Sequence, residues 1–156
     1  VTAGNSSQVS DAASMVSLCS ESHAKKLGIT PLGFINDFAY VGLEAQRMGL
    51  GPVYATKKLF DKTKTTLDEI DLIELNEAFA AQGLAVLREL GLADDDARVN
   101  PNGGAIAMGH PLGMSGARLV TAASYQLQRT GGKYALCTMC IGVGQGIALI
   151  IERVEK

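Results

Sequence analysis

The sequence predicts a layered α/β domain with a mixed sheet of five strands and one buried helix of small residues. Two observations lead to this fold class. Short apolar or β-branched segments alternate with segments of helical periodicity, and two strands follow one another at the end of the chain. Residues 115–129 form a helical segment rich in Gly, Ala and Ser, whose small side chains allow close packing on several sides.

The first part of the chain predicts a loop, two strands and a helix. Residues 1–11 are small and polar, which is typical of a loop. Residues 12–19 are small and apolar, and this run is long enough for a buried strand. A short helix is predicted over residues 20–27, ended by Gly28. The aromatic and β-branched residues 34–41 predict the second strand.

The rest of the chain continues this alternation. A proline in the first helical turn marks a helix that begins at Gly51, and the Thr-x-x-Glu pattern of residues 66–69 predicts one capped turn. The remaining predicted segments are a strand at 72–75, a helix from Asn76 to about Leu90, an acidic surface loop at 93–98, and strands at 133–140 and 145–154 joined by a glycine turn.

Composition is typical of a single globular domain that covers residues 1–156, since 47% of the 156 residues are apolar. The net charge of −2 includes no block of like charges, and no apolar run reaches the length of a membrane span. We therefore expect neither a nucleic-acid nor a membrane partner. Three irregularly spaced cysteines favour a reducing compartment, hence the cytoplasm, or an organellar matrix in a eukaryote. Because the chain begins at Val1 without methionine, we expect a piece of a longer protein.

The strongest local signal is the stretch 100–118, which holds five glycines and two prolines among apolar residues. Such a permissive backbone suggests that something approaches the main chain closely. Gly109 allows a sharp turn just before His110, and Pro111 fixes φ just after it. This would hold an imidazole at the mouth of the following helix. The alternative is a glycine-rich turn with an incidental histidine.

Two other polar residues stand where a predicted strand gives way to a turn, which is where α/β folds place their sites. Asn76 is either a helix N-cap or an amide that orients a water or a carbonyl. Cys140 is either a thiol exposed to a ligand among the following glycines or a small buried side chain. Periodicity alone does not show whether these residues and His110 converge.

No metal site is expected from the cysteines. Cys137 and Cys140 form a Cys-x-x-Cys pair within a predicted strand, where residues three apart point to opposite faces. No second pair completes a zinc site. Cys19, inside the predicted strand 12–19, is expected to be a small buried side chain.

Three motifs together resemble the C-terminal motifs of the thiolases. They are Asn-Glu-Ala-Phe-Ala at 76–80, the stretch from Gly103 to Arg118 with Gly-His-Pro-Leu-Gly-Met-Ser-Gly-Ala-Arg at its end, and Cys-Ile-Gly-Val-Gly-Gln-Gly at 140–146. The opening residues 1–7 resemble the loop that starts the C-terminal half of that family. The resemblance covers the whole chain in the right order, so it implies the C-terminal half of an acetyl-CoA acetyltransferase or 3-ketoacyl-CoA thiolase.

The resemblance implies a set of catalytic roles. His110 would activate a nucleophilic cysteine and help to form an oxyanion hole, in which Asn76 would hold a water. Cys140 would be the acid/base for the α-proton of acetyl-CoA, and the Gly142 N–H would serve a second oxyanion hole. Fixed donors stabilise the enolate charge that such a Claisen step develops. A thiol is useful here because its pKa can be tuned toward neutrality.

The resemblance also implies substrates and partners. Ser7, Ala78 and Phe79 would line the tunnel for coenzyme A, which together with acyl-CoA is a substrate rather than a permanently bound cofactor. The nucleophilic cysteine belongs to an N-terminal half that this sequence does not contain. The complete protein is expected to be a homodimer or a homotetramer.

One small departure from the family pattern is Val143, where many relatives have glycine. Two alternatives to an enzyme half remain open. The first is a non-catalytic structural or dimerisation fragment that is inactive alone. The second is a sterol-carrier-like thiolase, against which the intact His110 and Cys140 argue.

Overall fold

A computed structural model describes residues 1–155 of the chain as a mixed sheet with helices on both faces. The helices are α1 (Glu21–Leu27), α2 (Gly51–Thr63), α3 (Ala80–Glu89), α4 (Ala105–Met108) and α5 (Leu112–Thr130), and the strands are β1 (Gly33–Gly42), β2 (Leu72–Leu75), β3 (Tyr134–Ile141) and β4 (Gln145–Arg153). Short 3-10 turns occupy Ala3–Asn5, Ala45–Leu50 and Leu67–Glu69.

The sheet has the strand order β1-β4-β3-β2. β4 is antiparallel to both of its neighbours, whereas β3 and β2 run parallel, with Leu75 opposite Thr138. The predicted hairpin is present, since β3 and β4 pair from Ile141 opposite Gln145 outward. The parallel pair brings the C-terminal ends of β2 and β3 to the same edge of the sheet, and that edge carries the candidate site.

Alternation along the strands creates two apolar cores, one on each face of the sheet. Under α2 and α3, Leu59 and Val86 pack with strand residues such as Leu136. On the opposite face, the α5 residues Leu119 and Leu127 pack with other strand residues. The second cluster comprises Leu72, Leu119, Ala123, Leu127, Ala135, Cys137 and Ile151. The sheet is therefore covered on both sides, as the layered α/β prediction requires.

Local sequence signals set several helix ends as expected. The Ser20 hydroxyl accepts a hydrogen bond from the backbone of His23 at the start of α1, and Gly28 ends that helix in the left-handed region. A proline stands at the start of α2. The 66–69 pattern forms a capping box in which the Glu69 carboxylate accepts a bond from the Thr66 backbone at 2.7 Å.

The prediction of five strands is wrong for the described residues, which form a sheet of four. Residues 12–19 run without helix or strand. Their side chains are exposed, including Met15 at 87% and Leu18 at 71%, and Cys19 is exposed rather than buried. A strand is stable only where a neighbouring backbone accepts and donates its hydrogen bonds, and the described part of the chain places none beside this segment.

Two helices also differ from the prediction. α3 begins at Ala80 and not at Asn76, because residues 76–78 form a non-helical turn in which the Ala78 N–H donates to the Asn76 carbonyl, and Phe79 occupies the N-cap position. α5 is buried along one face only, since Tyr125 is 56% exposed. No helix within residues 1–155 is long and apolar enough to cross a membrane.

Candidate active site

The candidate site lies at the sheet edge where β2 and β3 end. Asn76 follows β2 directly and is completely buried, and its backbone N–H donates to the Thr138 carbonyl of β3 at 3.0 Å. Cys140 is the penultimate residue of β3 and is 6% exposed. The parallel pairing of the two strands therefore brings the amide and the thiol, 64 positions apart in sequence, to one edge.

The glycine-rich stretch delivers His110 to the same edge. Gly109 ends α4 with φ of +103°, a conformation that a side chain would strain. Its N–H donates to the Ala105 carbonyl at 2.8 Å, and Pro111 then serves as the N-cap of α5. The imidazole is thus held between the end of one helix and the start of another, as the Gly-His-Pro sequence predicts.

Both ring nitrogens of His110 have hydrogen-bond partners. Asn76 Nδ2 lies 3.2 Å from Nε2, and the Ser115 hydroxyl lies 2.6 Å from Nδ1. Because an amide NH₂ group can only donate, Nε2 is the acceptor and the proton resides on Nδ1. That N–H donates to the Ser115 Oγ, whose own proton goes to the Pro111 carbonyl at 3.0 Å. This chain of bonds selects one neutral tautomer, with its lone pair on Nε2.

Electrostatics also favour the neutral ring. Burial lowers the pKa of His110 below its usual value, and the positive charge of Arg118 lowers it further. The imidazole is therefore uncharged at neutral pH, which is the form that can accept a proton. Ser115 did not emerge from the sequence analysis, although a hydroxyl on the first turn after His-Pro was a signal for this contact.

Glu77 supports the loop that carries His110. Its carboxylate accepts hydrogen bonds from Asn100 Nδ2 at 2.7 Å and from the Ile106 backbone at 3.3 Å. Gly104 leaves the space for it, since a Cβ there would lie only 2.2 Å from the carboxylate. Asn100 also bonds both backbone groups of Leu75. Glu77 and Asn100 therefore tie the end of β2 to the glycine-rich turn.

One cavity of about 770 Å³ connects the predicted site residues. Its lining joins segment 7–10 to the ends of β2 and β3 and to the His110 turn. Ser7 anchors this segment, because its backbone N–H and its hydroxyl both donate to the Ala78 carbonyl at 3.0 Å. The lining is Ser7, Gln8, Val9, Ser10, Met48, Ala78, Phe79, His110, Leu112, Met139, Cys140, Ile141 and Gly142. All the predicted site residues lie in it except Asn76, which is buried behind His110.

Cys140 differs electrostatically from the expectation. Burial raises its pKa above the usual value, whereas the acid/base role implied by the family resemblance favours a pKa nearer to neutrality. The reason is that desolvation of the sulfur outweighs a backbone hydrogen bond that acts in the opposite direction. The thiol is therefore protonated at neutral pH. Cys137 lies on the opposite face, where its Sγ contacts the Leu119 carbonyl at 3.6 Å, so the two thiols point apart as predicted.

The turn after Cys140 has an unusual backbone. Val143 adopts φ of +67° with 87% of its surface exposed, and Gly144 follows with φ of +85°. A left-handed conformation is costly for a β-branched residue, and it explains physically why glycine would suit this position. Within residues 1–155 we find no group of three His, Cys, Asp or Glu side chains placed to hold a metal ion.

Comparison with known proteins places this domain in a family. Residues 29–153 match the family described as Thiolase, C-terminal domain. The chain is 60% identical over 154 residues to the 3-oxoadipyl-CoA/3-oxo-5,6-dehydrosuberyl-CoA thiolase of Escherichia coli strain K12. It is 61% identical to the Beta-ketoadipyl-CoA thiolase of Acinetobacter baylyi strain ADP1, and both alignments cover 99% of this chain.

A solved structure agrees with this assignment. The crystal structure of human mitochondrial 3-ketoacyl-CoA thiolase superposes with a TM-score of 0.90 at 46% identity, covering 99% of this chain and 39% of the human chain. The same values hold for the human enzyme in complex with CoA. The fold is therefore that of a thiolase C-terminal domain. The chain belongs to the thiolase family, and it spans 38% of the length of the curated relatives it matches.

Proposed function

We propose that this chain supplies the acid/base half of a thiolase active site. The reaction is acyl transfer between an acyl-enzyme and coenzyme A, run either as thiolysis of a 3-ketoacyl-CoA or as condensation of two acetyl-CoA molecules. The observation that carries the proposal is the single cavity in which the neutral imidazole of His110 and the protonated thiol of Cys140 meet.

In the thiolysis direction, His110 acts first as a base. Its Nε2 takes the proton of a nucleophilic thiol, and the resulting thiolate attacks the 3-keto carbon of the substrate. Cleavage of the bond between C2 and C3 leaves an acyl-enzyme and the enolate of acetyl-CoA. The Cys140 Sγ–H protonates the enolate carbon. Coenzyme A then attacks the acyl-enzyme carbonyl, and its thiol proton passes to the thiolate of Cys140. The nucleophilic thiolate leaves and takes back the proton held by His110, which restores both groups.

Hydrogen-bond donors stabilise the oxyanions of these steps. Asn76 is completely buried behind His110 and its Oδ1 has no partner among residues 1–155, so it is placed to orient a water for the first oxyanion hole. The Gly142 N–H, at the cavity end of β3, serves the second. In the condensing direction the thiolate of Cys140 removes the α-proton of acetyl-CoA.

Coenzyme A is the proposed occupant of the cavity, with Ser7, Ala78 and Phe79 along its pantetheine arm. The relatives suggest a substrate class as well. Two of them, about 60% identical, are named for 3-oxoadipyl-CoA and beta-ketoadipyl-CoA, and such acyl chains end in a carboxylate. We therefore propose a dicarboxylic 3-ketoacyl-CoA as the preferred substrate, with acetoacetyl-CoA as the short alternative.

The nucleophilic cysteine comes from a thiolase N-terminal half, either joined to this chain or supplied to it. The exposed apolar segment 12–19 and the uncovered face of α5 around Tyr125 are the surfaces that such a half would cover. A homodimeric or homotetrameric assembly and a cytoplasmic location stay predictions.

The first test is thiolysis of acetoacetyl-CoA and of 3-oxoadipyl-CoA, followed by the loss of enolate absorbance. We expect no turnover by residues 1–156 alone and turnover once a thiolase N-terminal half is added or fused. Turnover by the chain alone would mean that one of its own cysteines is the nucleophile. Failure of every N-terminal half to restore turnover, despite a stable complex, would favour the structural-fragment alternative.

The three cysteines provide matched variants for the acid/base assignment. In the complemented enzyme, Cys140→Ser should lower condensation by orders of magnitude and leave the fold intact. Cys137→Ala, on the opposite face of the same strand, and Cys19→Ser, on the exposed segment, should retain activity. Full activity of Cys140→Ser would eliminate the proposed role.

A further inference from the structure

Two buried charges lie beneath His110 and take no part in the steps above. Glu74, in the middle of β2, is 1% exposed, and the side chain of Arg118 on α5 is 12% exposed. Arg118 Nη1 and Glu74 Oε2 are 3.9 Å apart. The pair bridges the strand that leads to Asn76 and the helix that begins beside the imidazole.

The geometry of this pair is poor for a purely structural ion pair. Neither oxygen of Glu74 and none of the three guanidinium nitrogens of Arg118 has a hydrogen-bond partner among residues 1–155. Removing two charges from water costs more than their attraction returns unless the hydrogen bonds are complete. An apolar pair of similar size would therefore stabilise the fold at least as well, and a different reason is needed for the charges.

The pair closes a ring of contacts around the imidazole. His110 Nδ1 bonds Ser115, and Arg118 lies one turn further along α5. His110 Nε2 contacts Asn76, which directly follows β2, and Glu74 lies two residues earlier within that strand. Each ring nitrogen therefore contacts a residue that lies two or three positions along the chain from a member of the ion pair. The ion pair therefore joins β2 to α5, the two elements next to the hydrogen-bond partners of the ring.

Arg118 also provides the positive charge that acts on the ring, since together with burial it lowers the pKa of His110. Segment 7–10 of the cavity wall has no titratable side chain, and Arg47, beside Met48, is directed to the Tyr54 hydroxyl. The titratable groups nearest to His110 on the elements around it are Glu74 and Glu77 from β2 and the residues after it, Cys140 from β3, and Arg118 from α5. Cys137 of β3 lies opposite Glu74 and beside the ion pair, and Tyr134, Tyr125 and Arg129 lie further along β3 and α5.

We propose that Arg118 is a positioning residue for the proposed acyl transfer: paired with Glu74 beneath His110, it holds the imidazole in place and uncharged, so that Nε2 stays available as a base. This inference rests on the proposed function for the role of His110. Arg118 touches no reacting atom and acts through the ring alone.

Glu74 takes up a proton before His110 does when the pH falls. Burial raises the pKa of Glu74 to about 7, although Arg118 opposes the shift. As the pH falls from 8, the first proton near the ring therefore goes to the carboxylate and not to the imidazole. The charge of Arg118 is then unopposed, and it disfavours a second positive charge on His110.

The test is an NMR titration of the chain labelled with ¹³C and ¹⁵N at histidine. The chain has two histidines, so His23 on the exposed helix α1 is an internal reference. We expect the Nδ1–H tautomer of His110 in the wild type. Arg118→Met in the Glu74→Gln background should move the His110 midpoint to higher pH. Glu74→Gln alone, which mimics the protonated carboxylate, should leave it unchanged or move it lower.

An unchanged His110 midpoint in a double variant with native-like amide spectra would overturn the inference. Should the Met variant not fold, Arg118→Gln in the same background is the smaller change, and Arg118→Lys, which keeps the charge, should keep the midpoint low. The readout needs no turnover. Suppose that the double variant shifts the His110 titration midpoint but no N-terminal half can activate the chain. This result would contradict the proposed function and still support the role of Arg118.

Discussion

Glu74→Gln gives the sharpest quantitative test of the charge buried under the site. The carboxylate is 1% exposed, and burial raises its pKa from 4.5 to about 7 despite the attraction of Arg118. In the unfolded chain the same group titrates near its usual value. Between these two pKa values, the folded protein holds a proton that the unfolded protein has released.

This difference fixes both the sign and the size of the effect. Since the folded state binds more protons in this window, the contribution of Glu74 to stability is present below pH 4.5 and is lost as the pH rises through 7. A shift of 4.5 to about 7 corresponds to roughly 3 kcal/mol at 1.36 kcal/mol per unit. The wild type therefore carries a cost of that order at pH 8 that Glu74→Gln does not carry.

Urea unfolding followed by far-UV circular dichroism suits a chain without tryptophan. Between pH 5 and pH 8, the free energy of unfolding of Glu74→Gln should gain about 2.5 kcal/mol relative to the wild type, which is most of the full effect. Glu89→Gln, an exposed change at the end of α3, is the matched control and should follow the wild type at every pH. A constant difference between Glu74→Gln and wild type across this range would refute the burial argument.

Three further predictions concern the loops around the site. Val143→Gly should raise the free energy of unfolding by about 1 kcal/mol, because it removes a left-handed β-branched residue; an unchanged urea midpoint would contradict the assigned strain. Gly104→Ala should lower the free energy of unfolding by about 2 kcal/mol, because the added carbon displaces the Glu77 carboxylate from two hydrogen bonds. A variant of unchanged stability with an unmoved His110 resonance would contradict this prediction. Ser115→Ala should cost about 1 kcal/mol and move the neutral tautomer of His110 toward Nε2–H in ¹⁵N NMR; retention of the Nδ1–H signal would show that Ser115 does not select it.

The part of the candidate site around His110 could be predicted from sequence, because glycine and proline residues next to it set the local backbone geometry. Gly109 and Pro111 constrain the backbone on either side of His110 wherever the chain folds, and the structure shows that turn. Asn76 and Cys140 follow from a general rule about strand ends. Their convergence depends on the pairing of β2 with β3, which is a long-range choice that periodicity does not report.

The features that were predicted wrongly or not predicted from sequence have physical explanations. Residues 12–19 have the composition of a strand, but a strand also needs a partner, and composition does not say where the partner lies. Glu74 did carry a sequence signal, because a carboxylate inside the apolar run Leu-Ile-Glu-Leu is a buried charge that needs a reason. Arg118, in a helix lined with small residues, was the matching signal.

The two titratable groups in the cavity share one property, which is that both rest uncharged. Burial and Arg118 lower the pKa of His110, and burial raises the pKa of Cys140. Near neutral pH, the imidazole is therefore unprotonated at Nε2 and the thiol keeps its proton. The cavity therefore holds a neutral base and a neutral acid, and not a thiolate–imidazolium pair. A neutral imidazole can accept the proton of an incoming thiol, and a neutral thiol can donate to a carbanion, whereas in an ion pair the two roles would be exchanged. These resting states agree with the proposed order of proton transfers, in which His110 acts first as the base and Cys140 second as the acid.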